Sequence, residues 1–513
     1  MYLTGNRKGA ALIIAMIILI IFAALSVSFS SMCLSNLRQA RNQHKASSAL
    51  SAAESGLECG KYVVASTLPL LESTDYNFVT KKQADAVWEK VCAQVQAQPW
   101  VDNTAKKTAK EIITQKTACN SDGGTFQVRF YRSDTSTIGL EGIGTDGDTT
   151  ITVSTQMDIA KDNEVLNYAI ASRSKVWLTG DSTIYGNIYS FWDRVDISPF
   201  NMTSDSRVEG TINTALAQTD IQEQGDFQDE VQCYYYGINY DRDIESMAGM
   251  DISDYDTDLY YDMIMTGGGN GNIPSSGTIE TEYFPHASSG NGGYATPRDG
   301  TPGDTWNRIL NRHVYENQTF TDRRLPDNRN ALFRNCTFRG VLYIDCEKST
   351  STGYNNVRFE NCTFNGPIVT NVPDEFKWKN NCLYFTGEAT FDNTSGIQGA
   401  TILAPHFNVN LGNTNPEQSD NNVLTGIIVG GIVDIRGNAQ INGTIISMCD
   451  TTGWSDGYVT NIGTTLGDGG SETTELGNIS TISIRPEAGG ILPSGIISPI
   501  VINPLQETYS EGS

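Results

Sequence analysis

An uncharged run of twenty residues near the start of the chain, Ala10 to Phe29 (AALIIAMIILIIFAALSVSF), constrains its fold more than any other feature. Twenty helical residues rise about 30 Å, the thickness of a bilayer's hydrocarbon core, so the run is long enough to cross a membrane. The apolar part of a cleaved secretory signal is usually about 7–15 residues. This run is long for that purpose, although Ala23-Ala24-Leu25-Ser26 offers small residues for cleavage. Cys33 follows Ser30-Ser31-Met32, and a Met beside the cysteine disfavours lipid attachment. The helical pattern continues past the apolar run. Met32 to Val64 contains no proline, and Ala46, Leu50, Ala53, Leu57 and Val64 recur at helical spacing. Arg38, Arg41, Lys45 and Glu54 occupy its outer faces, and Thr67-Leu68-Pro69 is expected to end the helix after about Ser66. From Ala10 this is a rod of roughly 80 Å. A globular monomer has little use for that length, whereas a bundle of such helices does.

Two short stretches carry a resemblance. Arg7-Lys8-Gly9 followed by Ala10-Ala11-Leu12-Ile13-Ile14 resembles the leader and mature start of a class III type IV prepilin. Ala46 to Glu58 (ASSALSAAESGLE) is similar to the A-x-x-A-A-E-x-G-L segment of PilX-type minor pilins, with Ala52, Ala53, Glu54, Gly56 and Leu57 at the motif positions. The resemblance covers roughly the first 60 of the 513 residues. It implies a leader (1–9) with cations Arg7 and Lys8, cut between Gly9 and Ala10 by a membrane-embedded aspartyl prepilin peptidase, and N-methylation of Ala10. It also implies other pilin or pseudopilin subunits and an inner-membrane assembly platform as partners. One position departs from the family. Major pilins carry Glu at the fifth mature position, which here is Ile14. In the family that carboxylate is thought to neutralise the terminal ammonium of a neighbouring subunit, since an isolated charge in hydrocarbon is costly. A subunit without it can offer its own amine to the subunit below and nothing to one above, as tip pseudopilins do. The other reading is that Ile14 keeps the span of a permanent anchor apolar.

Charge narrows the partners. With 59 acidic against 35 basic residues the chain carries a net charge of -24, and no basic patch offers a nucleic-acid backbone a seat. Its 49 glycines, with abundant Asn, Thr and Ser, favour turn-rich β structure. After the transmembrane segment (10–29) and the helix extension (30–66), residues 67–170 read as a small pilin-like αβ region. There TFQVRFYRSD and DTTITVSTQMDIA alternate as strands, separated by IGLEGIGTDGDT, which reads as turn-rich. Cys92 and Cys119 flank KKTAKEIITQK and are candidates for a disulfide; the other reading is two unpaired thiols.

Beyond residue 170 the chain repeats itself. DSTIYGNIYS (181–190), DSRVEGTINT (205–214) and NAQINGTIIS (438–447) share one frame, and FRNCTFRG, FENCTFNG and FTGEATFDN begin at Phe333, Phe359 and Phe385. Units of this length, with short strands, Gly or Asn at the corners and no helix, suit a parallel β-solenoid whose turns stack about 4.8 Å apart. Asn335 and Asn361 would then be in register, as would Cys336 and Cys362. Ladder side chains point the same way, which strains a bridge, so these two read as a free thiol ladder. The expected fold class is α+β with mainly β content: a long amino-terminal transmembrane helix, a small pilin-like αβ head, then a parallel β-helix, right-handed as that fold usually is. Its first turns are placed at 171–214 and further turns at 331–449. Residues 215–330, acidic and glycine-rich, read as an insertion that is either a projecting loop or disordered. Residues 450–513 read as an excursion and capping or edge strands.

Little suggests catalysis. The repeats place Thr, Asn, Cys and Gly where polysaccharide-cleaving β-helices place acids, no nucleophile elbow, P-loop or HExxH occurs, and His44, His286, His313 and His406 are scattered. Neither an enzyme nor a cofactor is expected. Asp251, Asp254, Asp256 and Asp258, and the pair Asp146 and Asp148, lack the terminal Glu of a calcium loop and read as solvated turn acids. Tyr234-Tyr235-Tyr236 and Tyr260-Tyr261 either pack the insertion onto the coil or form a face for a surface or carbohydrate ligand. The reading is therefore a minor type IV pilin or pseudopilin-like subunit, at or near a filament tip, for pilus assembly or adhesion. It would span the inner membrane once, with its bulk periplasmic, and reach the cell surface on assembly. The alternatives are a permanently anchored envelope protein with a β-helix binding domain and a β-helix polysaccharide-degrading enzyme.

Overall fold

The computed structural model describes residues 7–67, 81–101, 105–119, 124–133, 137–224, 231–242, 247–266, 271–285, 306–346, 355–376, 381–392, 400–411, 421–435, 438–450, 460–463, 482–486, 492–498 and 500–512. The chain forms two compact units: Met1–Asp75 with Val79–Ala160 and Ile500–Ser513, and Tyr76–Phe78 with Lys161–Pro499. The helix stop at Leu68-Pro69, the glycine-rich stretch 288–304, His286 and most of 450–475 lie outside the described residues.

The first unit is a helix on an antiparallel sheet. Helix α1 (Arg7–Thr67) is one continuous element of 61 residues, and α2 (Lys81–Gln96) buries Val87, Trp88, Val91 and Val95. The strands are β1 (Lys106–Lys107), β2 (Glu111–Ile113), β3 (Thr117–Ala118), β4 (Thr125–Arg132), β5 (Thr137–Asp146) and β6 (Thr149–Lys161). They pair in the order β1-β2-β4-β5-β6, β3 also pairs β4, and the last strand of the chain, Ile500–Gly512, closes the far edge beside β6. Two sequence expectations need correcting. The stretch IGLEGIGTDGDT is not a connection: most of it is β5, paired along its length with β4 and β6, and only Gly147-Asp148 turns. The carboxyl-terminal strand belongs to this sheet, where the Gln156 amide donates to Thr508 Oγ1 at 2.9 Å.

The second unit is a three-sided parallel coil. One inward column runs Phe333, Phe359, Phe385, Leu411, Ile435, Ile462, Leu178 and Met202. Another runs Leu342, Ile368, Ile402, Ile428, Ile445, Ile170, Ile188 and Ile212. The turns are not stacked in chain order. The coil begins in its middle, at Tyr168, runs to one end at Gly237–Asn239, and starts again at the other end with Trp306–Glu316; its last turn then pairs in parallel with the first, Ile445 against Ile170 and Ile484 against Ile184. Asn317, Asn335 and Asn361 turn one corner at successive levels with φ of 53°, 52° and 52°. Asn tolerates this left-handed region better than other residues with a Cβ.

The interval expected as an insertion is mostly structure. Gly237–Asn239, Trp306–Glu316 and Thr319–Leu325 are rungs of the coil. Between them, Met247, Met250, Tyr255, Tyr260 and Ile264 run as a strap across the outer face of one sheet, onto Tyr343, Val369, Leu403, Val429 and Ile446. That sheet is therefore buried on both sides, which is why IIVGGIVDI (427–435) has no polar alternation until Asp434.

Candidate functional site

The features that bear on function lie along α1, on the thiols and on the outer rows of the coil. Along α1 the side chains from Ala11 to His44 are all exposed, Ile14 at 57% and Phe29 at 72% among them. Among the described residues α1 is the one helix long and apolar enough to cross a membrane. An uncovered apolar surface of this extent needs lipid or other helices around it. Arg7, Lys8 and Gly9, with Ala10, form the first turn of the same helix, so the Gly9–Ala10 peptide is helical backbone. Met1 to Asn6 lie outside the described residues.

From Ala49 onward α1 seats on the sheet. The buried stripe is Ala49, Ala52, Ala53, Gly56, Leu57, Gly60, Val63 and Val64, a helical period made almost wholly of small residues. A Cβ on Gly142 would lie 2.1 Å from the Ala53 carbonyl oxygen, and one on Gly144 would lie 1.9 Å from that of Ala49. Helix backbone therefore rests directly on the backbone of β5. One step along, Gly56 lies against the Phe126 ring and Gly60 against Val128 and Leu140. Four of the motif residues, Ala52, Ala53, Gly56 and Leu57, are thus in the seat, while Glu54 faces outward. At the rim the Lys45 ammonium donates to Asp148 at 2.6 Å and holds that carboxyl below the usual carboxylate range. The partner stretch GLEGIGTDG was missed in the sequence because glycines stand where a strand's inward side chains are normally large.

Cys33, Cys59, Cys92, Cys119, Cys233, Cys336, Cys362 and Cys449 are free thiols. Cys92 is buried on α2, and burial pushes its thiol up to about 11. Cys119 is half-buried and lies within electrostatic reach of Cys59. The structure does not join Cys92 to Cys119: Cys92 is enclosed in the helix packing, and both thiols are free. In the coil, Thr337 pairs with Thr363, which sets Cys336 and Cys362 at adjacent levels. The Cys336 thiol donates to the carbonyls of Arg334 and Tyr315 at 3.3 and 3.4 Å, and that of Cys362 to Phe333 at 3.3 Å. Burial pushes the Cys362 thiol well up, and its hydrogen bond to Cys336 favours the thiolate there.

The acids of DISDYDTD are turn caps. Asp251 accepts from the Ser253 amide at 2.8 Å, and Asp254 accepts from the amides of Gly249 at 2.8 Å and Asp251 at 3.2 Å. Among the described residues no three His, Cys, Asp or Glu side chains are grouped to hold a metal. His44 is exposed on α1, His313 Nδ1 lies 3.0 Å from the Ser276 carbonyl, and His406 is stacked on Phe376 with ring centroids 3.4 Å apart.

The tyrosines divide. Tyr260 is enclosed as part of the strap, its hydroxyl donating to the Ser494 carbonyl at 2.7 Å, and Tyr261 meets Tyr343 edge-on. Tyr234 and Tyr236 instead stand 55% and 63% exposed on the outer face of the coil, their rings 6.0 Å apart. Arg207 lies over Tyr234 at 4.7 Å and pairs with Glu209 at 2.8 Å, while Arg485 lies over Tyr185 at 4.3 Å. Along this face the levels thus present Arg485, Tyr185, the Arg207–Glu209 pair and then Tyr234 with Tyr236, rings alternating with charged groups.

The PilX N-terminal family matches residues 8–58. Among solved structures the chain is similar to the competence-associated pilin ComZ from Thermus thermophilus, at 14% identity over 91% of this chain and 98% of that one, with a TM-score of 0.28. No curated protein matches it. The matched residues run from the first turn of α1 to its seat on the sheet, and over them this chain is type IV pilin-like, similar to the PilX N-terminal family.

Proposed function

We propose that the chain is a minor type IV pilin or pseudopilin-like subunit. Prepilin peptidase cuts it after Gly9 in the inner membrane, Ala10 becomes the methylated terminus, and the assembly platform lifts the subunit into a filament. The observation that carries this reading is the division of α1: an apolar half exposed on every side, followed by a half bonded tightly to a sheet. A permanent anchor needs about twenty spanning residues. The continuous rod supplies many more. Ile14, with no carboxylate to offer a subunit above, supports a place at or near the tip. Assembly or adhesion is then the role, and the exposed row of Tyr185, Tyr234 and Tyr236 is the part of the coil suited to a surface or carbohydrate ligand, since aromatic faces flanked by polar groups bind sugars through both. Gly9→Val tests the reading. The variant should accumulate as an uncut, membrane-retained precursor absent from sheared filaments, and its normal incorporation would overturn the proposal.

A further inference from the structure

Two of the coil's three outer faces are covered and the third is bare. The strap encloses one. On the second, the outward residues Arg358, Tyr384, Asp434, Asn461 and Trp177 are all buried. The third face begins at Thr319, which pairs with Thr337, followed by Thr363 and Thr390 at successive levels. The register carries this column on through Val423, Gln440, Ser483 and Thr183 to Arg207 and Tyr234, ten levels in all. Each of these side chains is exposed or half-buried, while the residues that follow them, such as Phe320, Phe338, Ile441 and Val208, point into the core. Two residues along each strand lies a second outward column, which includes Arg339, Asp392, Asn442, Arg485, Tyr185 and Glu209, again exposed or half-buried. At about 4.8 Å per level the bare strip is roughly 40 Å long.

The chemistry of the strip selects its occupant. Val423 is the one aliphatic side chain in the first column, so the strip lacks the apolar centre of a protein interface. Hydroxyls and amides that both donate and accept suit a polymer of sugar hydroxyls, and Tyr185, Tyr234 and Tyr236 at one end offer faces to sugar rings. In a chain of net charge -24, the two columns set Arg207, Arg339 and Arg485 against Asp392 and Glu209. Glu209 is already paired with Arg207 at 2.8 Å, whereas Arg339 and Arg485 have no carboxylate partner among the described residues. A nucleic-acid backbone, charged at every nucleotide, needs more cations than this. We propose that the strip binds an extended carboxylated polysaccharide lying along the coil axis, with Arg339 and Arg485 taking its carboxylates and the tyrosines its ring faces. The ligand class rests on the tyrosine row being a binding face, and not on filament entry.

The test passes the detergent-solubilised full chain over immobilised polygalacturonate, with dextran and single-stranded DNA as comparators. Polygalacturonate should retain the chain more strongly than either, and retention should fall as salt is raised. Substituting both arginines, Arg339→Gln with Arg485→Gln, should weaken retention about tenfold. Tyr185→Ala should weaken it as well. Arg194→Gln removes a guanidinium that pairs with Asp196 away from both columns, and should leave retention unchanged. All four residues are at the surface, so the fold is not at stake in the comparison. No retention, equal retention on DNA, or retention indifferent to both arginines would overturn the proposal. Equal retention on dextran would keep the strip as a sugar-binding face and overturn the acidic ligand. A chain that binds polygalacturonate yet is never cut after Gly9 would support the ligand and count against the filament reading.

Discussion

Gly142 and Gly144 carry no side chain, and that absence lets α1 rest on β5. Gly142→Ala would drive a methyl group into the Ala53 carbonyl, 2.1 Å away, and neither layer of backbone can yield. Overpacking of this kind costs about 1–3 kcal/mol. Gly237→Ala, with nothing within 4 Å, should change stability by less than about 0.5 kcal/mol. Chemical denaturation of both variants checks the contrast. The motif Ala52 to Leu57 was legible as a helix face, but its partner was not. Ile138, Leu140, Gly142 and Gly144 share one face of β5, and two glycines in that row hide the alternation that marks a strand. His406 makes a different prediction. Burial lowers its imidazole to about 4, below the usual histidine value, so the unfolded chain binds a proton that the folded chain refuses. Its contribution is intact above about pH 6.5 and is lost as pH falls toward 4, by up to about 3 kcal/mol. Between pH 7 and 4.5 the His406→Phe variant should lose less stability than the wild type in urea titrations; parallel losses would contradict this.

The coil's strands were visible in the sequence, and their spatial order was not. The frames at 181, 205 and 438 match because they occupy equivalent positions in the same coil, the first two at adjacent levels and the third separated from the first by one intervening level, although the chain reaches it only after crossing to the far end and returning. Sequence similarity recorded the shared environment of Ile184, Val208 and Ile441, while nothing in the spacing marked the seam where Ile445 meets Ile170. The period of 26 between the Phe-rich repeats was read more directly, since Phe338 stacks on Phe364 at 5.0 Å and Phe333 on Phe359 at 5.5 Å. The strap is hard to read from sequence because five acids are interleaved with the apolar residues that seat it. The seam makes the coil one cooperative body rather than two stacks. Truncating Ile170 and Ile445 to Ala, singly and together, should therefore show a coupling of about 0.5–3 kcal/mol despite their distance in sequence. Additive effects would mean that the two series fold independently.

At the scale of the molecule, the chain divides into a unit of long helix on antiparallel sheet and a unit of parallel coil. The length and the uncovered half of the helix were evident from the amino-terminal residues alone, because a proline-free run with helical spacing has few other outcomes. The coil's service is less constrained, since a parallel solenoid is a scaffold for many uses and its exposed rows alone distinguish one from another. In the proposed reading, processing decides the fate of the chain: one that keeps residues 1–9 stays in the bilayer, and one cut after Gly9 can leave it. The most direct measurement is the amino-terminal mass of the protein recovered from sheared filaments and from membranes. Filament-borne chains should begin at Ala10 with a methylated amine, whereas protein found only in the membrane with Met1 or the intact nine-residue leader would contradict the assignment.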